Sequence, residues 1–385
     1  MNFLSDLVKL LVLAKLLGYP LKKQGIHPVV GHVVAGIILG PYILGLVKPS
    51  YELEVISSVA LLLLLFYTGL TTDFRELRRR FKYIILMGVL GVVVTFSLVY
   101  SVLYPLGLTG VKALFIAIAL SNTATETVAA ALARIGGRDV KALIIGASFV
   151  DDIVAVFIIS ILSSLTLNAS TDINYIVVAT ILFITIVIGI SQLLATKFKQ
   201  FYERLSKDYL AFASASIVTA FLLALLAREA GLSELIGAYL AGILIGRGRE
   251  FHDPMIRTRV ILTEFIDDLS VVLEALFIPM FFTYVGLLLV PTGITPIMYL
   301  VLLGAAVLGK VLGCTPIAFL SLRDWRKSFA SGMAMTGRGA LETALMKLGL
   351  DYGLINQNEY STIIIVALST TIIAPLAFSL LYRED

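Results

Sequence analysis

The chain has 385 residues, 59% of them hydrophobic and 15% charged, against roughly 45–50% and about 25% in soluble domains. That composition excludes an ordinary soluble domain, and the mean hydropathy of +0.97 points to a polytopic helical membrane protein. The formal net charge of +4 requires no nucleic-acid partner, the single cysteine (Cys314) excludes an intrachain disulfide or a cysteine metal cluster, and His27, His32 and His252 form no ligand pattern.

The apolar residues fall in blocks of about 17–28, each long enough to cross a hydrocarbon core of ~30 Å as a helix. About thirteen spans are predicted. The first, 2–18, lacks a basic leader and a small-residue cleavage site, so it reads as a retained helix. Spans 28–46, 52–70 and 81–105 follow, with His32 read as a packed helix residue. The fifth, 110–134, contains "ALFIAIALSNTATETVAAALA", in which Ser121, Asn122, Thr123, Thr125 and Glu126 interrupt the apolar run near its middle. The sixth, 139–167, carries "GASFVDDIVAVF", with Asp151 and Asp152 side by side. Then come 174–195, 208–228 and a short 232–246. Span 270–289 contains Glu274 and follows an acid-rich stretch whose Asp267 and Asp268 are expected in solvent; Pro279 is expected to kink it. Span 293–321 carries Lys310 alone among apolar residues. Span 326–349 holds Gly337, Arg338, Gly339 and Glu342, and 359–382 closes the series.

The loops supply an orientation. Those after odd-numbered spans hold roughly 21 basic residues, among them the run "RELRRRFK", and those after even-numbered spans about four (Lys48, Lys112, Arg228 and Lys347). The basic side is cytoplasmic by this rule, which predicts an outside N-terminus and an inside C-terminus. The basic run reads as an anchor against anionic lipid.

The chain also repeats itself. "VVGHVVAGIILG" (29–40) aligns with "LIGAYLAGILIG" (235–246), pairing Gly36 with Gly242, and "FYTGL" (66–70) aligns with "TYVGL" (283–287), pairing Gly69 with Gly286. Two collinear matches predict two six-helix copies, 1–167 and 208–382. The odd helix 174–195 between them turns the second copy over. Inverted repeats of this kind build secondary transporters, with the substrate site near the midplane. A channel does not need them.

Ionisable residues inside a span are costly and become functional candidates by default. Neighbours on a helix point about 100° apart, so Asp151 and Asp152 cannot serve one partner alike. One can face a fixed cation while the other faces a cavity. Lys310 is the fixed cation, because a buried lysine must pair or deprotonate. The free carboxylate can then trade a proton for a hard monovalent cation, and that competition is the minimal mechanism of an antiporter. An intramembrane aspartyl protease would need its acids to converge from two helices, and adjacent acids diverge. The interruptions at Ser121–Glu126 and at Gly337–Gly339 fall at corresponding places in the two copies, which marks a transporter site. Glu126 would neutralise a positive half-helix end, Arg338 would face opposing carbonyl ends, and Glu342 lies one turn from Arg338, within reach of an i,i+4 pair.

These residues resemble the monovalent cation/proton antiporter superfamily, in particular its bacterial and archaeal sodium/proton branch with paired aspartates. The resemblance is carried by "GASFVDDIVAVF", "VLGKVLG", "ALSNTATE", "EALFIPMFFTYVGL" and "HPVVGHVVAGIILGPYILGL" and covers essentially the whole length. It implies an all-α fold of thirteen helices with two crossed broken helices. It also implies a mobile core (about 52–167 and 270–382), a dimerisation subdomain from the remainder, homodimers and elevator-like alternating access. By motif position Asp152 resembles the Na+ and proton carrier, Asp151 the partner of Lys310, and Thr123 a residue of the first break, with Ser121 and Asn122 beside it. Lysine-bearing members are similar to electrogenic exchangers. The implied substrates are Na+ (or Li+) and H+ at the cytoplasmic membrane, with no cofactor and no enzyme activity. K+/H+ exchange and sodium-coupled uptake of an organic solute are the alternatives. Many members read Pro-Arg-Gly-Glu where this chain has Gly337, Arg338, Gly339 and Ala340, its acid coming later at Glu342. No nucleotide-binding domain of the potassium-efflux kind is expected after "LLYRED".

Overall fold

The structure is a computed structural model that describes residues 3–23, 27–71, 80–124, 139–148, 150–151, 154, 208–229, 234–246 and 257–382. Among them every regular element is helical. The expected helix 174–195, Thr125, Glu126 and Asp152 lie outside the described residues.

Helix ends follow local chemistry. Helix α1 (Phe3–Lys23) closes on Lys22 and Lys23, cations at the negative end of its dipole. Helix α2 (Val29–Leu39) is only 11 residues long, shorter than the expected 28–46. Its stop is Gly40, extended at ψ 172°; Pro41 lacks an amide donor and disfavours a helical predecessor. Helix α3 (Tyr51–Thr71) opens with Glu52 and Glu54 in its first turn, and the Ser50 hydroxyl accepts from the Leu53 amide. Helices α4 (Phe81–Leu103) and α5 (Gly110–Ala119) follow, then α6 (139–148 and 150–151).

The second half of the chain gives α7 (Tyr209–Glu229), α8 (Glu234–Gly246), α9 (Arg257–Leu287), α10 (Pro296–Leu322), α11 (Trp325–Ala334), α12 (Ala340–Asp351) and α13 (Gln357–Leu381). Helix α9 starts 13 residues before the expected 270. Ile261, Leu262, Phe265, Ile266 and Leu269 are buried along one face, while Glu264, Asp267 and Asp268 are exposed on the other, as expected for that second acid pair. The expected kink is a π-turn at Leu273–Phe277 that closes with the Ile278 amide on the Leu273 carbonyl. The widened turn lies immediately before Pro279, whose missing donor and ring disturb the regular ladder. Glu274 sits in this turn and is exposed. Six stretches are long and apolar enough to cross a bilayer among the described residues: Tyr51–Thr71, Phe81–Leu106, Tyr209–Glu229, Arg259–Leu287, Pro296–Leu322 and Gln357–Leu381.

The contacts divide into two compact units, one of residues 1–54, 74–155 and 279–385, the other of 55–73 and 156–278. In the first, α2 crosses α9 at Gly36 and Gly286: a Cβ on Gly36 would stand 2.0 Å from the Thr283 carbonyl oxygen and 3.0 Å from the Gly286 Cα. In the second, α3 crosses α8 at Gly69 and Gly242: a Cβ on Gly242 would stand 2.1 Å from the Phe66 carbonyl oxygen and 2.8 Å from the Gly69 Cα. Gly36 and Gly242 are repeat mates 206 positions apart, and Gly69 and Gly286 are mates 217 apart. Each crossing therefore pairs a helix of one copy with a helix of the other, with the partners exchanged. The same 206-residue displacement carries Phe3–Lys23 onto Tyr209–Glu229. It also carries the packing of Gly31 on Leu17 and Gly18 onto that of Gly237 on Leu223 and Ala224. Small residues let helix backbones approach where lipid offers no hydrophobic drive. The second unit is filled by Leu62, Phe66, Phe212, Ala241, Phe265 and Leu273, with the Phe212 and Phe265 rings edge to face at 5.8 Å.

Candidate ion-binding site

The site lies in the first unit, where two helices stop in mid-span. Helix α5 ends at Ala119 and the chain from Leu120 to Ala124 is irregular. Ser121 donates to its own turn at Ile118 O (2.7 Å), the kind of local bond with which Ser, Thr and Asn compete against a helix. Helix α11 ends at Ala334, and Gly337 and Gly339 separate it from α12. The two breaks touch. The Ala124 amide donates to Gly337 O at 3.0 Å, and the Thr123 hydroxyl to Met335 O at 2.6 Å. Asn122 Nδ2 donates to Glu342 Oε1 at 2.9 Å. Ser121, Asn122 and Thr123 are all buried.

Broken helices leave carbonyls at one end and amides at the other without intrahelical partners, carrying about half a charge of either sign. Arg338 answers the carbonyls. Its guanidinium donates to Leu120 O beyond the end of α5, to Thr336 O beyond the end of α11, and to Ala306 O of α10 at 3.3 Å. Thr371 of α13 donates to the Arg338 carbonyl. Glu342 answers the amides: its Oε2 accepts from Gly339 N at 2.7 Å, at the positive end of α12. The Glu342 carboxylate is thus shared between its own helix end and Asn122, a pair of bonds that the i,i+4 reading with Arg338 does not foresee.

Lys310 of α10 donates to Asp151 Oδ2 of α6, and both side chains are wholly enclosed. Asp151 Oδ1 has no hydrogen-bond partner among the described residues. Among the described residues, Thr123 and Arg338 also act on Asp151 through dipole and charge. Helix α4 makes room for the pair. Gly309 and Gly313 of α10 lie against Thr95 and Gly91 of α4, and a Cβ on Gly91 would reach within 3.5 Å of Lys310 Nζ. From the pair, the seam of α4, α6 and α10 runs through Met87, Ala147 and Cys314, then Ile84, Leu143 and Ile317, all buried. It ends at Arg80, whose guanidinium holds Asp139 Oδ2 (2.9 Å) and Ser321 O (2.8 Å).

The structure thus brings together Ser121, Asn122, Thr123, Asp151, Lys310, Arg338 and Glu342. His32 is buried, 4% exposed, in α2. Sequence reasoning missed Thr371, the Ala306 carbonyl and the glycine face of α4. The spacing of Gly88 and Gly91 in "GVLG" (88–91) allows close helix approach but names no partner.

A family model described as "Sodium/hydrogen exchanger, transmembrane" matches residues 9–384. The Na(+)/H(+)-K(+) antiporter GerN of Bacillus cereus is 26% identical over 378 residues, which are 97% of this chain and 95% of that protein. The Na(+)/H(+) antiporter of Enterococcus hirae is 26% identical over 383 residues, 98% and 97% of the two chains. The sodium proton antiporter MjNhaP1 from Methanocaldococcus jannaschii superposes with a TM-score of 0.75, covering 99% of each chain at 18% identity; the likeness is one of fold.

Proposed function

The chain belongs to the sodium/hydrogen exchanger family of membrane transporters, and from that premise we propose that it exchanges Na+ for H+ across the cytoplasmic membrane by alternating access, with Asp152 as the carrier. The observation that carries this reading is the enclosed Asp151–Lys310 pair beside the Leu120–Ala124 break. With Asp151 committed to a fixed cation, a helical register would direct the neighbouring carboxylate about 100° away. A carboxylate so placed binds a proton or a hard cation, but not both. Each transit then carries one or the other, which couples the two gradients. Lys310 supplies a protein charge next to the carrier, which supports an electrogenic cycle. The basic-loop asymmetry supports an outside N-terminus and a cytoplasmic C-terminus, and the family resemblance supports a homodimer.

Na+ and H+ are substrates, not cofactors. A second reading, exchange of K+, is favoured by the K+ in the description of GerN. Liposomes loaded with a pH dye test both. A Na+ jump is expected to drive protons in the opposite direction, and Asp152→Asn to abolish the response. Exchange by Asp152→Asn at the parent rate overturns the assignment. A response to K+ and not to Na+ selects the second reading.

A further inference from the structure

Five charged side chains are enclosed among the described residues, none more than 4% exposed: Asp151, Lys310, Arg338, Glu342 and Lys347. Four of them form the site. Lys347, in the C-terminal half of α12, has no part in it. Its ammonium donates to Asp351 Oδ2 on its own helix and to Glu54 Oε1, in the first turn of α3, at 3.4 Å. It also lies 5.6 Å from the centre of the Tyr284 ring, within cation–π reach. Tyr284 belongs to α9, two residues from the Gly286 crossing with α2.

Burying an ammonium costs several kcal/mol before its partners compensate, and the end of a short helix does not require one. What α12 does require is anchoring. It has 12 residues and is cut from α11 by the break, so its own hydrogen bonds cannot hold it in place. Its first turn carries Glu342, which must reach both Gly339 N and Asn122 Nδ2. Lys347 lies five residues further on, about 7.5 Å along the axis. There it meets a carboxylate of α3, a carboxylate of α12 and an aromatic face of α9.

We propose that Lys347 is a positioning residue for ion binding: by tying α12 to Glu54 and Tyr284 it sets the height and rotation of that half-helix, and so holds Glu342 against Asn122 in the break. The role rests on the Na+/H+ exchange reading. Loosening α12 shifts Asn122 and, with it, Ser121 and Thr123 in the break beside the carrier helix. The effect therefore falls on binding more than on turnover.

The test compares Lys347→Gln, Lys347→Arg and Glu54→Gln in liposomes, with thermal unfolding of the same preparations. Lys347→Gln is expected to raise the apparent KM for Na+ about tenfold, the scale of a misplaced binding group, and to shift the pH profile of exchange while the maximal rate changes little. Lys347→Arg is expected to recover most of the parent KM. Glu54→Gln, which leaves the lysine in place, is expected to raise KM by a smaller factor in the same direction. If Lys347→Gln keeps the parent KM and pH profile, or loses only melting temperature, the positioning role is overturned. If Lys347→Gln fails to fold, a parent KM in Glu54→Gln overturns it. A parent protein that moves no protons on a Na+ jump overturns the exchange reading and this inference with it. A working parent with an unmoved Lys347→Gln overturns this inference alone.

Discussion

Lys310 donates to Asp151 across 159 positions of sequence, and solvent reaches neither side chain. Each charge is tolerable in the membrane interior because of the other. An uncompensated buried charge costs more than the pair returns. The glycines of α4 and α10 set the closeness of the two helices that frame the lysine, so packing and electrostatics are satisfied by one arrangement.

Lys310→Met leaves Asp151 unpaired in an enclosed site and is expected to destabilise the protein by about 3–5 kcal/mol. Lys310→Met with Asp151→Leu replaces both charges and is expected to recover most of the loss. Thermal unfolding in detergent measures both. A single variant as stable as the parent would show that the pair bears no structural burden.

The same lysine is expected to govern charge movement. In proteoliposomes, the membrane-potential dependence of exchange by Lys310→Gln should fall towards zero if Lys310 supplies the extra charge of an electrogenic cycle. An unchanged potential response counts against that role.

Glu342 makes two charged hydrogen bonds, to Gly339 N and Asn122 Nδ2, each worth about 1.5–3 kcal/mol. Glu342→Ala removes both and is expected to lower stability by roughly that sum. Glu342→Gln keeps one acceptor oxygen but sets an NH2 group against the other donor, so it should lose one of the two bonds, about 1.5–3 kcal/mol. Equal losses in the two variants would mean that the carboxylate's charge, and not its bonds, matters.

Gly36→Ala and Gly242→Ala each drive a methyl group into a backbone carbonyl oxygen, at 2.0 Å and 2.1 Å. Neither helix can yield by rotating a side chain. Both variants are expected to lose about 3 kcal/mol, the upper part of the usual overpacking range, and by similar amounts because the crossings are repeat mates. Purified yield and melting temperature report this. A tolerated alanine at one site and not the other would break the equivalence.

Asp324 lies in the turn between α10 and α11 and caps α11, accepting from the Lys327 amide at 3.0 Å. That backbone bond holds its carboxyl below the usual value of 3.8. A carboxylate depressed on folding stabilises fully above its unfolded value, and the benefit disappears as pH falls through the lower folded value. Asp324→Ala is therefore expected to cost about 1 kcal/mol at neutral pH, the ordinary worth of such a cap, and progressively less as pH falls below 3.8. Melting curves of the two proteins should converge there.

The residues show plainly where sequence reading worked and where it stopped. Gly337, Arg338 and Gly339 in an apolar block foretold a broken helix, because two glycines and a charge cannot propagate one in lipid. The start of α9 at Arg257 was hidden, since five of its first fourteen residues are acidic or basic and a hydropathy window averages the two faces away. Its apolar face becomes visible only when Phe265 is seen on Phe66 and Phe212. The stop at Gly40 was hidden in the same way, behind Ile43, Leu44 and Leu46, which are apolar yet exposed in the turn that follows.

Taken by itself, the sequence determined the membrane class, the helical architecture, the internal repeat and the short list of charges that lipid would not tolerate without a purpose. Those are properties of composition and spacing, and every residue carries them wherever the chain goes. Only the tertiary structure decided who meets whom: Lys310 with Asp151, Glu342 with Asn122, Arg338 with the carbonyls that follow α5 and α11, Gly36 with Gly286. Such partnerships depend on angles and depths between helices far apart in sequence, and a single buried charge is satisfied or ruined by a displacement of an ångström or two.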